Sequence, residues 1–348
     1  MFTLEKAAGA LLGRTVSRRL EAPSGVRVVA VGGATFGGSG KTPLAIACAR
    51  ELAASGARVA FVGHAYRADP RGARVVTPDD DLGEVGDEAL LAARALARSG
   101  VNVVVAPSRR DAIARAARAA EVLVLDGIAQ LTPVRADLSL LAVDPEHPWG
   151  LRRSLRVGDA LRAPIKTLVA ACDAIVTVGE GAPATGLSEV GRTVWSSQVD
   201  SRGVWIHGAV DRAIDAALGG GRLEAWVDEG TLMTWQAVET HRAGVLTAMA
   251  RPERLIALFA RRGIAPRAIV SVRDHGPFDD SGRRRVEEAT AAGVVDLWLA
   301  TPKCALHAAR AMPALPIAVV EQLVTLHPAL RTRLRGVAAS REQAMAAP

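Results

Sequence analysis

Val26-Arg27-Val28-Val29-Ala30-Val31-Gly32-Gly33-Ala34-Thr35-Phe36-Gly37-Gly38-Ser39-Gly40-Lys41-Thr42 is the stretch that decides the fold. The run from Val26 to Val31 reads as a buried strand, Gly32 to Gly40 as a glycine-laden turn, and Lys41-Thr42 as the opening of a helix. A phosphate-binding loop requires this strand–turn–helix context. Glycines let backbone N–H groups turn onto phosphate oxygens, and the helix N-terminus adds its dipole. Lys41 can then reach the terminal phosphates, and Thr42 offers a hydroxyl to magnesium. The segment Thr35, Phe36, Gly37, Gly38, Ser39, Gly40, Lys41 and Thr42 therefore predicts a bound nucleoside triphosphate with Mg2+. The strict pattern G-x-x-x-x-G-K-[ST] has glycine where this chain has Thr35.

Outward from the loop, short apolar runs alternate with Ala-rich helical stretches: a helix from Thr42 to about Ser55, a strand over Arg58–Val62, and a helix over Asp87–Ser99. Strand Asn102–Val105, helix Asp111–Ala120 and strands Val122–Leu125 and Leu138–Val143 follow, then helix Ile165–Ala171 and strand Ala174–Val178. Continuous apolar strands separated by helices predict an α/β fold, a P-loop NTPase-like parallel sheet covered on both faces. Gly179–Gly191 reads as a linker, after which Thr193–Val199 and Gly203–His207 are expected to form a short β-ribbon into a second, smaller α/β domain. The expected division is 1–185, 193–335 and a weakly ordered tail at 336–348.

With 348 residues, 49% of them hydrophobic, the chain can bury a large core, and disorder is excluded as its state. The net charge of +7 favours an anionic partner, but the arginines are spread along helical segments and no aromatic-interleaved basic patch is present, so nucleic acid is not expected. Three widely separated cysteines, Cys48, Cys172 and Cys304, argue against a disulfide framework or zinc site. No stretch reaches the roughly 18–20 apolar residues of a membrane span. Residues 3–20 place Leu4, Ala8, Leu11, Leu12, Val16 and Leu20 near helical spacing with Lys6, Arg14, Arg18 and Arg19 flanking them. That helix either packs on the domain or lies on an anionic membrane surface.

Two acids stand out beside the loop. Val122-Leu123-Val124-Leu125-Asp126 is a buried strand ending in a carboxylate, which can hold magnesium beside Thr42 or merely start the next turn. Asp87, in Gly86-Asp87-Glu88, either caps the following helix or serves the chemistry.

The loop Gly32-Gly33-Ala34-Thr35-Phe36-Gly37-Gly38-Ser39-Gly40-Lys41-Thr42-Pro43 resembles that of the tetraacyldisaccharide 4'-kinases, which also lack the first glycine of the strict pattern. Val85-Gly86-Asp87-Glu88-Ala89 is similar to the family's V-G-D-E-P, and Gly63-His64-Ala65-Tyr66-Arg67 echoes its S-R-G-Y-G. Ala250-Arg251-Pro252-Glu253-Arg254 and Asp274-His275-Gly276-Pro277-Phe278, similar to D-H-H-x-F, extend the resemblance over nearly the whole chain. The resemblance implies a peripheral enzyme at the cytoplasmic face of the inner membrane. Its activity would be transfer of the γ-phosphoryl of ATP, with Mg2+ on Thr42 and Asp126, to the 4'-hydroxyl of a lipid A disaccharide 1-phosphate precursor. It also implies Asp87 as base, with His275 as its partner, and membrane contact through the N-terminal helix; it leaves the oligomeric state open.

Several charged positions depart from the family pattern. D-D-G-F-Q-H is represented by Leu125-Asp126-Gly127-Ile128-Ala129-Gln130, and the glutamate of L-P-A-G-P-L-R-E-P by Ala163. T-E-K-D is Thr301-Pro302-Lys303-Cys304, and Asp159 is a stand-in acid by position. These losses keep a second reading open: a catalytically decayed member that binds ATP or lipid as a regulatory module.

Overall fold

The computed structural model describes residues 16–151, 160–219, 231–249, 252–272, 276 and 278–339. Two compact units emerge: Met1–Val199 with Val324–Pro348, and the continuous insert Asp200–Leu323.

In chain order the first unit runs β1 (Ser17–Arg19), β2 (Arg27–Gly33), α1 (Lys41–Ala54), β3 (Val59–Val62), β4 (Arg74–Val76), α2 (Leu82–Val85), α3 (Asp87–Leu96) and β5 (Asn102–Val105). It continues with α4 (Arg109–Ala116), β6 (Val122–Asp126), β7 (Gln130–Thr132), β8 (Leu138–Val143), α5 (Ile165–Ala170), β9 (Ala174–Gly179) and β10 (Thr193–Asp200). The second unit holds β11 (Gly203–Ile206), α6 (Val210–Ala217), β12 (Thr231–Thr234), α7 (Trp235–Val238), β13 (Ala243–Thr247) and α8 (Pro252–Arg261), then β14 (Ala268–Ser271), α9 (Asp280–Ala291), β15 (Leu297–Ala300), α10 (Pro302–Ala311) and β16 (Ile317–Val320). β17 (Leu323–Thr325) and α11 (Pro328–Ala339) close the chain in the first unit.

The large sheet has the order β17-β10-β9-β8-β2-β6-β3-β5-β4. β10-β9-β8-β2-β6-β3-β5 pair in parallel, and the edge strand β4 runs antiparallel to β5. Central strands such as β6 and β8 are buried at every position, as a sheet covered by helices on both faces demands. Register then positions the site. Val31 pairs with Asp126, so the acid at the end of β6 stands next to the root of the glycine loop leaving β2. In the second unit the sheet order is β12-β11-β16-β15-β13-β14, with its own core around Val245, Phe259, Leu299 and Ala318.

Three expectations change. Residues 1–15 of the expected N-terminal helix lie outside the described residues, and Ser17–Arg19 form a strand paired with Gln130–Thr132; Ser17-Arg18-Arg19 has no apolar stripe to hold a helix, and pairing satisfies its backbone. The strands Thr193–Val199 and Gly203–His207 do not pair with each other. β10 joins β9 and β17 at the edge of the large sheet, and β11 joins β12 and β16 in the other. The strand pair at the crossing is therefore β10 with β17, the outgoing and returning passes of the chain. Finally, Gly336–Ala339 are not tail but the end of α11, while 340–348 lie outside the described residues.

α11 has a mechanical consequence for the loop helix. α1 is buried along Leu44–Ala49 and Leu52, and α11 packs on it. Glu51 accepts from Arg331 Nε at 2.9 Å and Arg335 Nε at 2.7 Å. Arg27 Nη1 donates to the carbonyls of Val337 and Ala338 at 2.5 and 2.6 Å, satisfying orphan groups at the helix end. α11 is thereby tied to the strand and helix that flank the phosphate loop.

Candidate active site

The loop owes its path to backbone freedom at a few points. Gly40 has φ +77°, and a Cβ there would fall 2.6 Å from the Val178 Cβ, so only glycine fits. A Cβ on Gly33 would fall 2.2 Å from Ser39 Oγ. No side-chain hydrogen bond caps α1, no acid sits in its first turn, and Pro43 is tolerated there because that turn needs no N–H. The helix thus presents its N-terminal dipole toward the loop, as an anion site requires.

Thr35, the departure from the strict pattern, is buried and has its own task. Its hydroxyl donates to the Gly37 carbonyl at 2.6 Å, and its own carbonyl accepts from Arg162 Nε at 2.8 Å. Arg162 Nη2 also donates to the Phe36 carbonyl at 3.1 Å, and its guanidinium lies 5.1 Å from the Phe36 ring centroid. The Phe36 N–H completes the clamp, donating to the Ala160 carbonyl at 3.1 Å. A side-chain and arginine brace does here what a glycine turn does elsewhere.

Around the loop stands a group of charges. Lys41 Nζ donates to the Glu88 carboxylate in a short, nearly buried ion pair and lies 3.2 Å from Thr42 Oγ1. Thr42 Oγ1 in turn donates to Asp126 Oδ2 at 2.7 Å. Burial acts to lower the Lys41 pKa, the negative fields of Asp126 and Glu88 override it, and the net shift is upward. Asp126 is 1% exposed, and its Oδ1 is buried with no hydrogen-bond partner among the described residues. Burial therefore holds its carboxyl above the ordinary range, despite Lys41, Thr42 and Arg109. Such an orphaned carboxylate oxygen beside a threonine hydroxyl fits a hard cation, which takes oxygen ligands and keeps several waters.

Arg109, at the start of α4, donates from Nη1 to the Asp126 carbonyl at 2.6 Å; burial pulls its pKa down to about 10, so it stays a cation. His64, one residue past the β3 exit glycine, is pushed down to about 4 by partial burial and by Arg109, and is neutral at physiological pH.

Asp87 is buried at the first position of α3, and its Oδ1 accepts from the Glu88 N–H at 2.8 Å. The N-cap is Gly86, not Asp87. Gly86 has φ 85° and ψ 153°, a region open essentially to glycine alone, and it turns the chain from α2 directly into α3. Replacing Gly86 by alanine is expected to cost about 1–3 kcal/mol. In urea denaturation this reads as a lower midpoint with unchanged slope, and an unaltered midpoint would show the turn is not strained.

The structure thus brings Lys41, Thr42 and Asp126 together as expected, on the loop and the adjoining strand end. His275 and Asp159 lie outside the described residues. Leu125 and Ala163, where the family pattern carries acids, are 0% and 2% exposed and belong to apolar clusters. Strand alternation turns Leu125 away from the face that carries Asp126. Glu88, Arg109 and Arg162 were not singled out from sequence. Glu88 and Arg162 do lie in stretches matched to the family's V-G-D-E-P and L-R-E-P, and each of the three sits at or near a helix start following a strand or turn, on the edge where parallel sheets place their sites.

A family model described as tetraacyldisaccharide-1-P 4'-kinase matches residues 8–339. The tetraacyldisaccharide 4'-kinase of Paramagnetospirillum magneticum is 36% identical over 189 residues, 53% of this chain and 56% of that relative, so the match spans little more than half of it. The tetraacyldisaccharide 4'-kinase of Rhodopseudomonas palustris is 32% identical over 305 residues, covering 87% of this chain and 80% of the relative. The crystal structure of an "apo" form of LpxK from Aquifex aeolicus in complex with ATP shares the fold, with a TM-score of 0.62 at 16% identity over 97% of this chain and 98% of that one. With a family match running from before the phosphate loop to the end of α11, the chain belongs to the tetraacyldisaccharide-1-P 4'-kinase family.

Proposed function

We propose that this chain transfers the γ-phosphoryl group of ATP to the 4'-hydroxyl of a tetraacyldisaccharide 1-phosphate in lipid A biosynthesis, working as a peripheral protein at the cytoplasmic face of the inner membrane. The observation that carries the reading is the chain of contacts Glu88–Lys41–Thr42–Asp126 at the mouth of a glycine loop. That arrangement favours an active kinase over a decayed one, because a lysine, a threonine hydroxyl and a carboxylate suited to phosphate and metal lie in contact with one another at the loop. Thr42 and Asp126 would hold Mg2+, which when bound neutralises charge on the phosphate oxygens. Lys41 adds a positive charge at the terminal phosphates, and the loop N–H groups cradle the others. Asp87 takes the proton of the attacking hydroxyl on its carboxylate; His275 belongs to the proposal on the resemblance alone.

Among the described residues no helix is long and apolar enough to cross a membrane. Contact with the membrane surface is assigned to the segment before β1, on the spacing of Leu4, Ala8, Leu11 and Leu12 with Lys6 and Arg14 beside them. The decisive measurement is transfer of γ-³²P from ATP to a tetraacyldisaccharide 1-phosphate in detergent micelles. Labelled lipid is expected with the parent protein. Asp87→Ala is expected to lower kcat by about 10²–10⁴ while ATP binding persists. No labelled lipid at high enzyme concentration, with Mg2+ or Mn2+, overturns the reading.

A further inference from the structure

The charges around the loop do not balance in a simple pairwise way. Lys41, Arg109 and Arg162 converge on a space that holds two carboxylates, Asp126 and Glu88. Asp126 is engaged by the Thr42 hydroxyl, is 1% exposed and sits on a rigid central strand, so it has nowhere to go. Glu88, which is also engaged, differs in burial and in the element that carries it. It lies on the first turn of α3, its side chain keeps 18% exposure, and its longer stem can swing outward. Its negative field reaches Lys41, His64, Arg109 and Arg162 together. Glu88 thus already holds the loop lysine that the terminal phosphates of a bound nucleotide would need.

We infer that Glu88 is an internal competitor for nucleotide: its carboxylate holds the Lys41 ammonium in the nucleotide-free enzyme and must yield it when the terminal phosphates arrive. This deepens the function proposed above and rests on its nucleotide-binding part. The physical reason is desolvation. A lysine ammonium on a nearly buried loop is costly without a counter-ion, and a carboxylate on a swinging stem removes that cost without blocking the site permanently. Every phosphate ligand then pays for displacing Glu88. Weak anions such as inorganic phosphate and pyrophosphate are the ones most excluded, since they bring fewer other contacts than ATP does.

The consequence runs against ordinary intuition about active-site acids: removing the charge should tighten anion binding. Calorimetry with Mg2+-pyrophosphate and with Mg2+-ATP on the full chain tests this in the parent, Glu88→Gln and Glu88→Ala, with a thermal melt to verify folding of each variant. Pyrophosphate is expected to bind about tenfold tighter to Glu88→Gln and to Glu88→Ala than to the parent. Glu88→Asp, which keeps the charge, is expected not to tighten it. In a Lys41→Ala background the Glu88→Gln change is expected to tighten pyrophosphate binding by less than it does in the parent background, because the ion pair with Lys41 carries the main part of the competition, and an equal gain in both backgrounds overturns the inference. Unchanged or weaker pyrophosphate binding in Glu88→Gln and Glu88→Ala overturns the inference, and weaker binding would mark Glu88 as a residue that presents Lys41 to the phosphates. If the parent binds neither ATP nor pyrophosphate, the kinase reading falls with it; if the parent binds ATP and the variants show no tightening, only the competitor role falls.

Discussion

Asp126→Asn is expected to lower kcat/KM for phosphoryl transfer by at least about 10³-fold, roughly 4 kcal/mol of barrier, while the nucleotide-free protein stays as stable as the parent or becomes more so. The activity loss follows from the ligand set. Thr42 and Asp126 are the protein oxygens that would hold the metal, and an amide oxygen carries no charge to balance it. The stability effect has the opposite sign because of burial. The Asp126 carboxyl is held above its ordinary pKa range, so the folded protein takes up that proton at a higher pH than the unfolded chain does. Its charge thus costs stability at pH values above the raised pKa, and the cost lifts as pH falls through it. Asparagine removes the charge and can still accept from Thr42. Urea denaturation at neutral and mildly acidic pH checks this: the acid-side gain attributable to Asp126 should vanish in the variant. A large loss of stability at neutral pH would mean that the pair with Lys41 outweighs desolvation.

Such a site is a place where stability is given up for function, and it bears on what could be read from sequence. The phosphate loop was legible because its signals are local: the apolar strand, the glycines and the Lys-Thr pair lie within one short segment, and each is a backbone or helix-start requirement. Asp126 was legible for the same reason, as an acid ending a buried run. Glu88 and Arg162 lie in matched motifs, but what they touch was not legible. Their contacts join residues 47 and 127 positions apart, and no periodicity encodes a partner at that distance. The small strands failed for another cause. β1, β4 and β7 have three residues each, too few for an alternation to register. β10 was seen as a strand, but its partner was set by the return of the chain through β17, which is tertiary. α11 was not read as a helix, and its last turn was taken for tail, because it buries only Leu330, Leu334 and Val337 amid arginines. Its stability comes from packing on α1 and from Glu51 and Arg27, not from its own pattern.

Lys41→Ala supplies the complementary experiment, with both effects pointing downward. Removing the ammonium withdraws a charge from the terminal phosphates, for which a loss of about 10³–10⁴ in kcat/KM is expected, comparable to other phosphate-clamping cations. It also leaves Asp126 and Glu88 facing the loop without the cation they share. The raised Lys41 pKa gives the sign independently: a lysine favoured as a cation in the folded state contributes stability over the whole range below its unfolded pKa, and loses it only as pH climbs through the folded value. Because the Lys41 and Glu88 side chains retain 13% and 18% exposure, water screens part of the interaction, and a destabilisation of about 2–3 kcal/mol is expected at neutral pH, below that of a fully buried pair. Adding Glu88→Gln to Lys41→Ala should recover part of that loss, since it removes one of the two carboxylates left behind. Asp126→Asn in the same background should recover more, because Asp126 is the more deeply buried. Equal recovery by both would mean that burial does not rank the two acids, and no recovery by either would place the cost of Lys41→Ala in lost packing of the aliphatic stem, not in charge.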